Sequence, residues 1–196
     1  MLITISDLHF VDETAGKHNL PYGAFKDVFL SDIAALVKDK EDIKEVKILL
    51  LGDIVDLLRS EQWFDIPESD RPWGANGLKD IPSPQGSSPT EQQCLKILGQ
   101  AADSELLNPP PPDSLSKKTI LYHNWDTFKL FREFKSRLKE KAGKDISVEI
   151  IYTPGNHDRL CNLYPSVRDA LKKIIGLTIN KDTLTGDPAR EWRYRY

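Results

Sequence analysis

The segment Val46-Lys-Ile-Leu-Leu-Leu-Gly-Asp-Ile-Val-Asp56 joins an apolar run to two carboxylates. Residues 46–51 have charged residues before them and Gly52 after them, a pattern typical of an interior strand of a parallel sheet. Asp53 follows directly after Gly52. Because open α/β sheets bind ligands just beyond the carboxyl ends of their strands, this position predicts a functional residue at Asp53.

Two more segments repeat this arrangement, one near the beginning of the sequence and one near residue 150. Residues 2–5 are apolar and end at Ser6-Asp7-Leu8-His9, and residues 148–152 end at Thr153-Pro154-Gly155-Asn156-His157-Asp158. Proline stops a strand and glycine permits a tight turn, so the third strand is also expected to end just before its polar cluster. Carboxylate, imidazole and amide oxygen are common metal ligands. The three clusters together predict one metal site.

Helical spacing of apolar residues separates the predicted strands. It predicts helices over residues 24–38, 90–102, 114–142 and 167–175, with Asp113 or Ser114 as a cap for the third. The order of elements predicts an α/β fold. We expect one domain over residues 1–196, with a proline-rich insert at about 61–113 that is either a functional loop or a poorly ordered segment.

Composition restricts the class of protein. The chain has 196 residues, 39% of them hydrophobic and 29% charged, which suits one sizeable core. A net charge of −3 indicates no general attraction to nucleic acid or to anionic membranes. The two cysteines have no disulfide or zinc-site spacing, and no apolar stretch is long enough to span a membrane. We therefore expect a cytoplasmic protein with no membrane contact.

The spacing within the clusters predicts individual roles. Asp7 and His9 are two residues apart, so in an extended segment both side chains point the same way and can hold one ion. Asp53, at a neighbouring strand end, can bridge two ions, and Asn156 can give a neutral oxygen to the second.

The other polar residues of the clusters suit proton transfer or support. His157 is a candidate general acid, with Asp158 beside it to orient the ring. Asp56 is expected to orient a neighbouring side chain or backbone group rather than to bind metal.

The blocks Asp7-x-His9, Gly52-Asp53-x-x-Asp56 and Gly155-Asn156-His157-Asp158 resemble the calcineurin-like metallophosphoesterase superfamily in order and strand context. The resemblance implies a layered α/β/β/α sandwich and a centre of two divalent ions (Mn, Fe, Zn, Ni or Mg) that activates a hydroxide against a phosphate ester. It places Asp7, His9 and Asp53 on the first ion and Asp53 and Asn156 on the second, with His157 protonating the leaving oxygen.

The chain also departs from the family pattern. The family's later lone histidine and its Gly-His-x-His block are absent, since no histidine follows His157. The resemblance therefore implies the N-terminal portion of such a domain, mainly its first sheet. We expect it to hold metal weakly and to have an apolar surface that is either exposed or buried against a second copy of the chain. Leu57-Leu58 replaces the Arg-Gly of the protein serine/threonine phosphatases, and Asp158 replaces their glutamate.

Several alternatives stay open at this point. A nuclease acting on DNA or RNA and a non-catalytic protein-binding scaffold are the other functions considered. Asp7 and Asp53 could be structural helix caps, His18 and His123 are expected to be ordinary packed or surface histidines, and the Trp125 to Phe134 stripe is expected to be core. The insert side chains Trp63, Arg71, Trp73 and Lys79 are either a lid over the substrate or part of a mobile surface loop. Residues 190–196 alternate arginine with aromatic residues, which suits nucleic-acid contact, although an alternating strand explains the pattern more simply.

Overall fold

The computed structural model describes residues 1–16, 20–75, 88–99 and 118–177. Strands β1 (Leu2–Ile5), β2 (Glu45–Leu51) and β3 (Ser147–Thr153) form a parallel sheet in that spatial order. This confirms the α/β class and the three predicted strands. Ile5 pairs with Leu50, and Leu51 pairs with Thr153, so all three strands end at the same edge of the sheet.

Helices connect and cover the strands. A π-helical segment, Ala24–Phe29, continues directly into α1 (Leu30–Asp39). The two together match the helix predicted over residues 24–38. The others are α2 (Pro89–Leu98), α3 (Ile120–His123), α4 (Trp125–Arg132), α5 (Phe134–Ala142), α6 (Arg159–Leu163) and α7 (Pro165–Ile175). Short 3₁₀ turns occupy Glu13–Ala15, Leu57–Arg59, Glu61–Asp65 and Glu68–Asp70.

The helix α2 lies inside the predicted proline-rich insert and is shorter than expected. The side chain of Ser88 accepts a hydrogen bond from the Glu91 amide at its start. Gly99 ends the helix in a left-handed conformation, with φ at 92°, so the prediction of a helix to Ala102 is wrong at its end.

The single long helix predicted over residues 114–142 is also wrong, because turns at Asn124 and Glu133 divide the described part into α3, α4 and α5. The buried Asn124 side chain donates to the carbonyl oxygens of Val11 and Ile120, both at 2.9 Å. Such bonds compete with regular helical bonding and bend helices. Thr119 caps α3, whereas the predicted caps Asp113 and Ser114 lie outside the described residues.

One face of the sheet packs on the helices. Val46, Ile48 and Leu50 of β2 are completely buried, and Ile150 of β3 is nearly so. The aromatic stripe of α4 and α5 belongs to this core, as predicted, since Phe128, Phe131 and Phe134 are buried.

The opposite face of the sheet is more open. Leu2 and Leu51 are exposed there, at 64% and 48% of their surface. Lys47 is the register partner of Leu2, and its Nζ atom lies 3.5 and 3.2 Å from carboxylate oxygens of Glu45 and Glu149. The apolar surface that the resemblance implied is therefore interrupted by charged side chains.

Some predictions fall on residues outside the described ranges. His18, Lys79 and the alternating residues 190–196 are among them. Within the described ranges, none of the helices combines the length and the apolar character that a membrane span requires.

Candidate metal centre

The loops that follow the three strands meet at one edge of the sheet. Beyond β1 and β2, the backbone amides of Asp7 and His9 donate to the carbonyl oxygens of Gly52 and Asp53, at 3.3 and 2.9 Å. Phe10 then forms a parallel bridge with Val55. The first two loops therefore continue side by side after the strands have ended, which brings Asp7, His9 and Asp53 together.

Left-handed backbone conformations coincide with the predicted ligands. Asp7, His9 and Asp53 have φ values of 57°, 46° and 54°, and they are the non-glycine residues with positive φ in the described part of the chain. Residues other than glycine rarely adopt this conformation, because their Cβ atom meets the backbone. Those that are held in it cluster at functional sites. The backbone conformation therefore singles out the same three residues that their chemistry had predicted as metal ligands.

Glycines at two loop positions allow the second and third loops to touch. A Cβ atom on Gly52 would lie 2.5 Å from the Gly155 Cα, and one on Gly155 would lie 2.4 Å from the Asp53 Oδ1 atom. Both contacts are too close for a side chain to be accommodated. The two glycines therefore let the Asp53 carboxylate rest directly against the third loop.

Asp7, His9 and Asp53 form a group that could hold a cation, with one potential ligand atom from each within 4.8 Å of the others. The Nε2 atom of His9 faces Asp7, with 3.9 Å to its Oδ1 atom. The Asp53 Oδ1 atom accepts a hydrogen bond from the His157 backbone amide at 2.8 Å, so the third loop also holds this carboxylate in place.

A second group places His157 against Asp56. The Nδ1 atom of His157 lies 2.9 Å from the Asp56 Oδ2 atom, a hydrogen-bond distance, and His9 Nδ1 lies 3.6 Å from the same oxygen. The rings of His9 and His157 meet edge to face, with their centroids 4.5 Å apart. Asp56 therefore contacts a neighbouring side chain, as predicted, and that side chain is the imidazole of His157.

The prediction that Asp158 orients the His157 ring is wrong. The fully buried Asp158 carboxylate accepts hydrogen bonds from the backbone amides of Ile54, Val55 and Gly155, at 3.0, 3.0 and 2.9 Å. Burial raises the pKa of Asp158, and these backbone donors act in the opposite direction. Asp158 thus connects the second and third loops through hydrogen bonds from its buried side chain, whereas the neighbouring His157 ring contacts Asp56.

Asn156 is exposed on the third loop, next to His157. Its backbone oxygen accepts a bond from the Arg159 amide at 3.4 Å, at the start of α6. The assignment of Asn156 to a second ion stays a prediction.

Sequence reasoning did not select Arg59, which also reaches this cluster. Its Nε atom lies 3.0 Å from the Asp56 Oδ2 atom. The three-residue spacing between Asp56 and Arg59 across a single helical turn is the signal that could have identified it, because such residues lie on the same face.

The donor set fits a divalent cation at Asp7, His9 and Asp53. Two carboxylates and an imidazole are suitable ligands for Mn, Fe or Zn. Two buried polar atoms nearby, His9 Nδ1 and Asp56 Oδ1, have no hydrogen-bond partner in the described part of the molecule, as is typical of a polar site built for more than packing. By contrast, the His157–Asp56 pair already forms its own hydrogen bond, which suits a proton-transfer dyad better than a second ion.

Comparison of the chain with family models, curated protein sequences and solved structures found no match. The resemblance to the metallophosphoesterases therefore rests on the three sequence blocks, and the loop geometry above is the independent observation beside it.

Proposed function

We propose that this protein is a metal-dependent hydrolase of phosphate esters of the calcineurin-like metallophosphoesterase type. The observation that carries the proposal is the meeting of Asp7, His9 and Asp53 at one sheet edge, next to the His157–Asp56 dyad. Cation ligands beside a carboxylate-supported imidazole are the parts that metal-assisted hydrolysis requires. In the same proposal, the three-stranded sheet is the first sheet of the family's layered sandwich.

The chain offers ligands for the first ion at Asp7, His9 and Asp53, and the proposal adds a second ion shared by Asp53 and Asn156. A bound divalent ion supplies charge stabilisation on the phosphoryl oxygens and a hydroxide nucleophile at neutral pH. Because the first ion has three protein ligands, we expect it to be held more weakly than by a complete four-ligand site.

His157 is the proposed general acid. In this proposal the Asp56 carboxylate accepts a hydrogen bond from Nδ1–H of His157, and Nε2 carries the proton that is transferred to the departing oxygen. Asp56 also stabilises the imidazolium form that precedes this transfer. The acid and its orienting carboxylate therefore come from the third and second loops respectively.

The proposed location is cytoplasmic. Cys94 and Cys161 are both free and buried, as expected in a reducing compartment. Burial also raises the pKa of both thiols, so neither is suited to act as a nucleophile.

The test is a Mn²⁺ titration followed by hydrolysis assays. Calorimetry measures metal binding to the wild type, and p-nitrophenyl phosphate and bis-p-nitrophenyl phosphate report monoesterase and diesterase activity. We expect Asp53→Asn to abolish both binding and turnover, and His157→Asn to lose turnover while it keeps the metal. Asp65→Asn is the matched control, because Asp65 is an exposed carboxylate paired with Lys96, outside the candidate site.

The proposal fails if the wild type binds no metal, or if Asp53→Asn binds and hydrolyses as the wild type does. The scaffold alternative corresponds to the first of these outcomes, with no hydrolysis of either ester. The nuclease alternative corresponds to activity on DNA or RNA with none on the monoester.

A further inference from the structure

Arg59 places a cation at the edge of the candidate site. It ends the 3₁₀ turn Leu57–Arg59 that directly follows Asp56. Its Nε atom lies 3.0 Å from the Asp56 Oδ2 atom, which is also the oxygen that lies 2.9 Å from His157 Nδ1. The guanidinium and the proposed general acid are thus held by the same carboxylate oxygen.

The outer part of the guanidinium remains accessible. The Arg59 side chain is 56% exposed, whereas the Asp56 side chain beneath it is completely buried. A guanidinium has five N–H donors in a fixed plane, and the contact with Asp56 uses only the Nε donor. The two terminal amino groups therefore remain for a ligand that approaches from solvent.

The cluster next to Arg59 combines three carboxylates with the imidazoles of His9 and His157. Asp7, Asp53 and Asp56 lie within it, and in the described ranges no other lysine or arginine forms an ion pair with any of the three. A phosphate ester is an anion, so it needs positive charge beside these carboxylates; the proposed metal ions supply part of it, and Arg59 is the cation that the protein itself adds. A planar guanidinium binds two phosphoryl oxygens at once, so Arg59 has the right chemistry for this ligand.

We propose that Arg59 is a substrate-binding residue whose terminal amino groups bind the phosphoryl oxygens of the ester, and that it thereby favours phosphate monoesters over diesters. A monoester dianion gains more from a cation than a diester monoanion does. This inference rests on the proposed function, since it identifies the substrate class of that same site. It also gives a reason for an Arg59 side chain that stays exposed although the carboxylate it pairs with is buried.

Arg59 could instead act only through Asp56, by holding the carboxylate that orients His157. That structural role predicts a lower kcat with unchanged affinity for phosphate. Direct binding of the phosphoryl group predicts weaker phosphate affinity, whatever happens to kcat. Affinity for phosphate therefore separates the two roles.

The probe is inorganic phosphate, titrated calorimetrically into the full chain with and without Mn²⁺. The variants are Arg59→Gln and Arg59→Lys, and the matched control is Lys96→Gln, which removes a cation that is 54% exposed and paired with Asp65 instead. We expect Arg59→Gln to bind phosphate roughly tenfold to a hundredfold more weakly. Arg59→Lys should be intermediate, because it keeps the charge and loses the fork, and Lys96→Gln should equal the wild type.

Esterase assays give the second measurement. Arg59→Gln should raise KM for p-nitrophenyl phosphate more than for the bis ester, so the preference for the monoester falls. Arg59→Gln also removes the ion pair to the buried Asp56 carboxylate, so its thermal unfolding is measured alongside and the titrations are run at a temperature at which the variant is fully folded.

The inference is overturned if Arg59→Gln binds phosphate with wild-type affinity, or if the wild type binds no phosphate in either condition. Failure of the proposed function gives a different result. In that case the wild type binds no Mn²⁺ and hydrolyses neither ester, yet the phosphate titration without metal still reports whether Arg59 binds the anion.

Discussion

At the scale of single residues, the candidate site is built on backbone strain. Asp7, His9 and Asp53 adopt left-handed backbone conformations, which cost a residue other than glycine roughly 1 kcal/mol or more. Hydrogen bonds from the Asp7 and His9 amides to the second loop hold the first loop in that conformation. These contacts therefore offset the cost of the strained backbone, and the strained backbone positions three potential ligands.

Replacing Asp7 tests this trade-off between stability and binding. We expect Asp7→Gly to be more stable than Asp7→Ala by about 1 kcal/mol, because glycine adopts a positive φ without the steric cost. Both variants should lose Mn²⁺ affinity. Urea unfolding gives the stability difference, and equal stabilities of the two variants would show that φ at Asp7 stores no strain.

Asp158 is expected to matter for stability rather than for proton transfer. Asp158→Ala removes the acceptor of three backbone amides, those of Ile54, Val55 and Gly155, in a buried position. We expect a loss of about 2–4 kcal/mol in the free energy of unfolding. Chemical denaturation measures it, with the exposed Asp65→Ala as a control that should change by less than about 0.5 kcal/mol. A stable, inactive Asp158→Ala would contradict the structural role and return Asp158 to the dyad.

At the scale of elements, the helical segment from α3 to α5 bends because a side chain reaches out of it. Asn124 links this segment to Val11, just beyond the first loop of the candidate site. On the two sides of the bend at Glu133, α4 packs on α7 and α5 packs on α1. Tertiary contact therefore determines the shape of this segment.

Asn124→Leu should therefore destabilise the protein. It leaves the Val11 carbonyl oxygen without its side-chain donor, although the loss is partly offset because the Asn124 Oδ1 atom is buried and has no described partner. We expect a net cost of about 1–2 kcal/mol in urea unfolding. Lys135→Gln, at an exposed position of α5, is the control and should change by less than about 0.5 kcal/mol. Equal effects of the two substitutions would show that the Asn124 bonds contribute nothing.

At the scale of the whole molecule, the two faces of the sheet differ. One is packed against helices, and the other exposes Leu2 and Leu51 around the Lys47–Glu149 pair. Hydrogen bonding to Glu149 is the main cause that raises the pKa of Lys47, so this ion pair persists at neutral pH. The open face is therefore charged toward the amino ends of β2 and β3 and apolar at the carboxyl end of β2, where Leu51 lies.

We expect the chain to self-associate through this open face, because exposed leucines on a sheet favour contact with another apolar surface. Light scattering over a concentration series should give a rising mass for the wild type and a constant, monomeric mass for Leu2→Lys. Val28→Lys is the control, since Val28 is 56% exposed but lies in the π-helical segment. A monomeric wild type at high concentration would refute the expectation.

The sequence alone was sufficient for the strands and for the positions of the loops. Residues 2–5 and 46–51 are apolar runs that end at polar clusters, and Gly52 and Pro154-Gly155 mark where the strands must stop. These are local signals, so they can be recognised without knowledge of the fold. The same reasoning identified Asp7, His9 and Asp53, which the structure brings within ligand distance of one another.

Only the tertiary structure decided which carboxylate supports His157. Asp158 is adjacent to it in the chain, yet Asp56, 101 residues away, forms the hydrogen bond. The bend at Asn124 likewise depends on Val11, 113 residues away, and only the fold brings Arg59 and His157 to the same Asp56 oxygen. Periodicity and turn residues report local backbone preference, whereas hydrogen bonds between distant loops depend on how the strands pair, which no single segment encodes.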